Sequence, residues 1–214
     1  MEIPFILKTA LWAQMLPPLA LLSRRNLSRP VLFIAAGATI SVIGNFVAVY
    51  VANQTGNNHF VALIFGGLMT IPYLLGLAEW QVTFVERLTL RLFIIPFVLT
   101  YVALTVFAEG TATFSKFTGP LSVLVILGAS VWTLLRRAFQ ASTPITCSDW
   151  FWVVGGLALY GATTAVAQPI GAILLADHRL DLFDLVWKFR AVCVDLSFLS
   201  IVAGFLIRPD ATHA

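Results

Sequence analysis

The chain has 214 residues, 59% of them apolar and only 11% charged, a balance that excludes a water-soluble globule. The net charge of +3, from 13 Lys+Arg against 10 Asp+Glu, sits in short clusters beside apolar runs. No basic stripe is long enough to track phosphates, so nucleic acid is excluded as a partner.

Seven apolar stretches follow one another, each near the roughly 20 residues that cross a hydrocarbon core about 30 Å thick. The first runs from Ile3 to Leu22 and contains Lys8, Gln14 and Pro17-Pro18. Glu2 precedes it and Arg24 and Arg25 follow it, the reverse of a signal peptide, so it reads as a retained helix inserted with its N-terminal end outward. The second, Val31 to Ala52, opens after Pro30 and carries Asn45. The third, Phe60 to Ala78, contains Gly66-Gly67 and Pro72, and the fourth, Leu88 to Ala108, contains Pro96. The fifth, Phe117 to Leu135, has Pro120 near its start, where a missing N–H costs nothing. The sixth, Trp150 to Ala176, carries Gln168-Pro169, and the seventh, Leu185 to Ile207, carries Lys188, Arg190, Cys193 and Asp195. Connections are short, and no linker or composition shift marks a boundary. The expectation is an all-α polytopic membrane protein, a bundle of seven transmembrane helices in a single domain spanning 1–214. Cys147, in a loop, and Cys193 fall at different depths and read as free thiols.

Orientation follows from the basic residues. Arg24, Arg25, Arg29, Arg87, Arg91, Arg136, Arg137 and Arg208 fall on one side; Lys8, Lys116, Arg179, Lys188 and Arg190 fall on the other. The bias places the N-terminus outside and the C-terminus in the cytoplasm, in a bacterial inner membrane.

In lipid, the informative residue is a polar one far from either surface. Asp195 lies about eleven residues into the seventh span, near the bilayer midplane. Left charged and lipid-facing it would cost roughly 2.5 to 3.5 kcal/mol, so it is expected to face the bundle. Gln14 falls at a similar depth, while Lys8, Asn45, Gln168 and Lys188 fall in the outer half. Lys188 is seven residues before Asp195 and shares its helix face. If the first, second, sixth and seventh spans are neighbours, these six side chains line a ligand or ion pocket open to the outside, anchored by Asp195. The competing reading is structural: Lys8, Lys188 and Arg190 snorkel to the outer headgroups, and the amides bond between helices. Pro169, beside Gln168, and Pro72 are candidate hinges, because an internal proline removes a helical hydrogen bond.

Other chemistry has little support. Asp177, Asp181 and Asp184 with His59 form a conceivable cation site, but the spacing that makes zinc convincing is missing, and a solvated acidic loop is the simpler reading. Haem lacks a histidine deep in a span, retinal lacks a mid-span lysine in the seventh helix, and no Ser-His-Asp set or phosphate loop can be assembled. No metal site and no cofactor are expected.

The loop Ser23-Arg24-Arg25 after a proline-containing first helix, the Asn57-Asn58-His59-Phe60 opening of the third span and the aromatic Asp149-Trp150-Phe151-Trp152 opening of the sixth resemble features of a set of uncharacterised bacterial seven-helix integral membrane proteins. The resemblance covers the whole chain as architecture and implies no activity. An acid associated with the middle of the third helix in such proteins is replaced here by Thr70, Ile71 and Pro72. The leading expectation is a non-enzymatic protein that senses a ligand or associates with a partner. Its partners would be the lipid bilayer, a second membrane protein, and a small molecule or ion. A small cation- or proton-coupled carrier and an accessory subunit of a larger membrane complex are the alternatives.

Overall fold

A computed structural model describes residues 5–22, 28–110, 115–141 and 144–207, with side chains described from residue 9 onward. All regular elements among the described residues are helical. In chain order they are α1 (Phe5–Ala13), α2 (Leu16–Leu22), α3 (Arg29–Thr55), α4 (His59–Glu79), α5 (Phe84–Leu104), α6 (Thr118–Ala138), α7 (Asp149–Ala176) and α8 (Leu180–Leu206). A π-helical turn, Thr105–Glu109, extends α5, and a 3₁₀ turn, Ile145–Cys147, precedes α7. Among the described residues six helices, α3 to α8, are long and apolar enough to cross a membrane. Their backbone polar groups close within each helix, as a lipid environment demands.

The expected first span is not one helix. It breaks at Gln14-Met15 into α1 and α2. Pro17 and Pro18 have no N–H for the carbonyls of Ala13 and Gln14, so the ladder cannot continue. It tightens instead to a three-residue step, the Met15 N–H donating to Trp12 O at 2.9 Å, and the Gln14 side-chain amide donates to Ala10 O at 3.0 Å. Elsewhere prolines are tolerated: Pro72 is buried inside α4 and Pro169 lies on the outward face of α7, both within continuous helices.

Three boundaries differ from expectation for identifiable reasons. α5 starts at Phe84 because Thr83 and Glu86 form a capping box, each side chain bonding the other's backbone N–H. α8 starts at Leu180, so Asp181 and Asp184 belong to its first two turns, where the positive end of the helix favours acids. α3 runs on to Thr55 and stops at Gly56, whose φ of 73° closes a left-handed cap on Ala52 O.

The helices form a ring. α3 packs on α4, α4 on α6, α6 on α7 and α7 on α8, and the α1/α2 segment closes it between α8 and α3. α5 stands outside, against α4 and the edge of α6, with only Phe97 and Tyr101 buried. The end of the ring carrying Arg87, Arg91, Arg136 and Arg137 is solid, filled by Ile34, Tyr73, Leu77, Ile126, Phe198 and Phe205. Its arginines have carboxylate or carbonyl partners, although Arg87 Nε and Gln81 Oε1 there are buried without a hydrogen-bond partner among the described residues. Glu79 pairs with Arg91 and, at 4.0 Å, Arg87; Glu86 pairs with Arg136; and Arg137 Nε donates to Trp80 O at 2.6 Å. The opposite end is hollow.

Candidate functional site

The hollow is a chamber of about 420 Å³ bounded by α1, α3, α4, α6, α7 and α8, with Tyr101 of α5 reaching its wall. Its volume falls within the roughly 300 to 1,000 Å³ of ordinary small-molecule sites. It extends from Met69 and Tyr160 up to Asn58, His59 and Ser115 at the helix ends.

One corner is closed by amides. The break after α1 turns Gln14 inward, and its Oε1 accepts from Ser41 Oγ at 2.9 Å and from Asn45 Nδ2 at 2.6 Å. With its Nε2 on Ala10 O, Gln14 has both ends engaged and ties the first segment to α3. This cluster fastens helices, the use expected of buried amides in lipid.

The opposite wall is not closed. Arg190 lines the chamber, with its Cζ 5.1 Å from the centre of the Trp187 ring, a cation–π contact that covers one guanidinium face. Its Nε is buried without a hydrogen-bond partner among the described residues, and no ion pair among them includes it. On the neighbouring α7, Gln168 Oε1 is also buried without a partner among the described residues, packed near Gly119, where a Cβ would come within 2.9 Å of it. Tyr160, held edge-on against Phe198 at 5.9 Å between ring centres, completes this wall.

Of the six side chains expected to meet in a pocket, Gln14, Asn45 and Gln168 do line the chamber. Asp195 and Lys188 do not. Lys188 pairs with Asp184 at 2.5 Å on the rim of α8, and Asp195 accepts from Thr9 Oγ1 at 2.9 Å, facing α1. The second Asp195 oxygen is buried without a partner among the described residues. Helix phase explains the correction: positions seven apart share a face, but that face of α8 looks at α1 and the periphery. Positions 187, 190, 191 and 194 turn toward the ring. The side chain of Lys8 lies outside the described residues.

Arg190 is the residue that depth arithmetic missed. In Trp187-Lys188-Phe189-Arg190 it reads as one more interfacial cation. The available signal was its spacing, since Trp187, Arg190, Ala191 and Val194 stand at i, i+3, i+4 and i+7, the stripe of an inward helix face. The acidic stretch offers no comparable site: Asp181 lies 3.9 Å from Arg179, Asp184 pairs with Lys188, and no group of three or more His, Cys, Asp or Glu among the described residues is placed to hold a metal.

A guanidinium presents planar paired donors that suit a carboxylate or phosphate, and its charge is worth more in a dry site than in water. With Arg190 in its wall beside Tyr160, the chamber is equipped to bind an anion through the guanidinium. Compared with models of protein families, with curated proteins and with solved structures, the chain matches none.

Proposed function

We propose that this is a non-enzymatic, ligand-binding protein of the bacterial inner membrane, a sensor whose chamber takes a small organic anion from the outer side. In this reading the broken α1/α2 segment is the first of seven crossings, which puts the N-terminus outside and the arginine-rich end in the cytoplasm, as the positive-inside bias favours. The observation that carries the proposal is Arg190 lining a polar chamber with its Nε buried and unpartnered among the described residues. The filled core beneath supports binding over conduction, because the chamber stops where Tyr73, Leu157 and Phe198 interlock. A signal would pass to a membrane partner through helix faces or the cytoplasmic arginines.

The test is a thermal-unfolding screen in mild detergent with short carboxylates and inorganic phosphate. A true ligand stabilises by mass action, about 2.7 kcal/mol at a hundred times its Kd, and Arg190→Gln abolishes the shift. If no anion in the screen gives a shift that depends on Arg190, the reading is wrong.

A further inference from the structure

A second cavity, about 580 Å³, lies on the outside of α4 as a crevice between α4 and α5. Its walls are almost entirely apolar, among them Phe60, Ile64, Leu68, Phe97 and Val102, and most of these are exposed. On α4 it runs from Phe60 to Ile71, a length of about 16 Å at the helical rise. That matches one leaflet of a hydrocarbon core about 30 Å thick.

The crevice and the chamber share a wall. Tyr101 lines both. Its ring lies across Gly66-Gly67, where a Cβ on Gly67 would come within 2.9 Å of it, and its hydroxyl donates to Leu63 O at 2.6 Å. Only the paired glycines allow the ring so close to α4, and beside that helix Tyr101 stands between the polar space and the lipid-facing one. The helix that carries it is loosely held. α5 is fastened at one end by Glu86–Arg136 and Arg91–Glu79, and at the other by Glu109, which accepts from the N–H groups of Phe117 and Thr118 at the start of α6. Between these anchors only Phe97 and Tyr101 are buried.

We infer that the chamber and the crevice are two halves of one site for a long-chain carboxylate, its head on Arg190 and its single acyl chain passing Tyr101 into the crevice. This deepens the anion-binding reading and rests on it. Charge complementarity selects the head: Arg190 is the one cation described in the chamber wall, so a single negative charge balances it, and a carboxylate matches its planar donors. Shape selects the tail, since a crevice between one pair of helices receives one chain where a two-chain phospholipid needs twice the space. The chain would enter sideways from the leaflet, beside the most loosely packed of the six long helices.

The experiment uses the full chain in phosphatidylcholine nanodiscs containing stearic acid spin-labelled at mid-chain, with its methyl ester as the uncharged control, at a pH that keeps the acid ionised. The acid should show a motionally restricted component that reports association about tenfold or more above the ester, the factor expected of a charge-assisted hydrogen bond. Arg190→Gln should bring acid and ester together, Arg190→Lys should retain part of the difference, and Leu68→Trp, which fills the crevice from an exposed position, should remove the restricted component. Equal association of acid and ester with the native protein overturns the inference, as does a difference insensitive to Arg190→Gln or to Leu68→Trp. If those results accompany a short carboxylate that still stabilises the protein through Arg190, the chamber remains an anion site and only the amphiphile is refuted. If no carboxylate of any length responds to Arg190, both readings fall together.

Discussion

The α7–α8 seam offers the sharpest test of the packing. Position 156 faces α8 so closely that a Cβ there would stand 2.6 Å from Ser197 O and 2.8 Å from Ile201 Cγ1, well inside the roughly 3.5 Å at which such atoms attract. The nearest atom is backbone, so no rotamer relieves the clash and the helices must part. Forcing a methyl into a packed interface costs about 1 to 3 kcal/mol. A glycine-to-alanine change also favours the helix itself by up to about 1 kcal/mol, and the adjacent residue cancels this term. Gly155 lies one position away in the same helix, where an added methyl would meet nothing within 4 Å. Gly156→Ala should therefore unfold about 1 to 3 kcal/mol more easily than Gly155→Ala, measured by tryptophan fluorescence during denaturant titration in mixed micelles. Gly204→Ala repeats the experiment from the other helix, where a Cβ would meet Val153 Cγ2 at 2.5 Å and Asp149 O at 2.7 Å. Combining it with Gly156→Ala should cost less than the two losses added, because one separation of the helices relieves both clashes. Equal stability of Gly155→Ala and Gly156→Ala would refute the close approach of α7 and α8.

Four further outcomes follow from the charges and caps. Glu79→Gln leaves Arg87 and Arg91 without their shared carboxylate; both guanidiniums remain partly hydrated, so the loss should be roughly 1 kcal/mol, smaller at high salt, in the same titration. Glu109→Ala removes the carboxylate that accepts from the first N–H groups of α6, and should cost about 1 kcal/mol with faster amide exchange confined to Phe117 and Thr118. Asp195→Asn keeps an oxygen for Thr9 Oγ1 and lies outside the chamber wall, so any anion-induced thermal shift should survive it while Arg190→Gln removes the shift. Cys147 is exposed on the turn before α7, at the arginine-rich end; a membrane-impermeant maleimide should label it in inverted vesicles and not in intact spheroplasts, and the opposite pattern reverses the proposed orientation.

Depth in the membrane was legible in the sequence, and direction around each helix was not. Hydropathy located the six long helices because lipid demands an apolar run of fixed length whatever the neighbours. It placed the start of α8 too late because Asp181 and Asp184 look like loop, although acids belong in a first turn. The Thr83-x-x-Glu86 capping box that starts α5 early was readable and carries its own mechanism. The break at Gln14-Met15 was foreshadowed by Pro17-Pro18, but the partners of Gln14 depend on α3 lying alongside, which no local pattern states. The same limit exchanged Asp195 for Arg190. A soluble helix reveals its inner face by the polar face opposite; α8 carries charges on both sides, Arg190 toward the chamber and Asp195 toward α1, so its rotation is set by Gly156, Gly204 and the shape of its neighbours.

Both ends of the bundle bury an unpartnered arginine nitrogen and an unpartnered amide oxygen among the described residues, Arg87 Nε and Gln81 Oε1 at one and Arg190 Nε and Gln168 Oε1 at the other, and they differ in ion pairing. At the arginine-rich end Glu79 and Glu86 neutralise their arginines and Arg137 finds a carbonyl, an arrangement that stability alone explains. At the hollow end a donor, Arg190 Nε, and an acceptor, Gln168 Oε1, are both buried, and each lacks a partner among the described residues. They would satisfy one another if they met, and an unpartnered charge left in a membrane's apolar interior costs roughly 2.5 to 3.5 kcal/mol even on the lenient insertion scale. Pairing them across a collapsed interface would be the cheaper fold, because unsatisfied buried groups are expensive and this chain keeps two of them facing one space. Gly119 gives Gln168 its room and Trp187 covers one face of the guanidinium, so Arg190, which no carboxylate among the described residues neutralises, keeps a donor for an incoming acceptor.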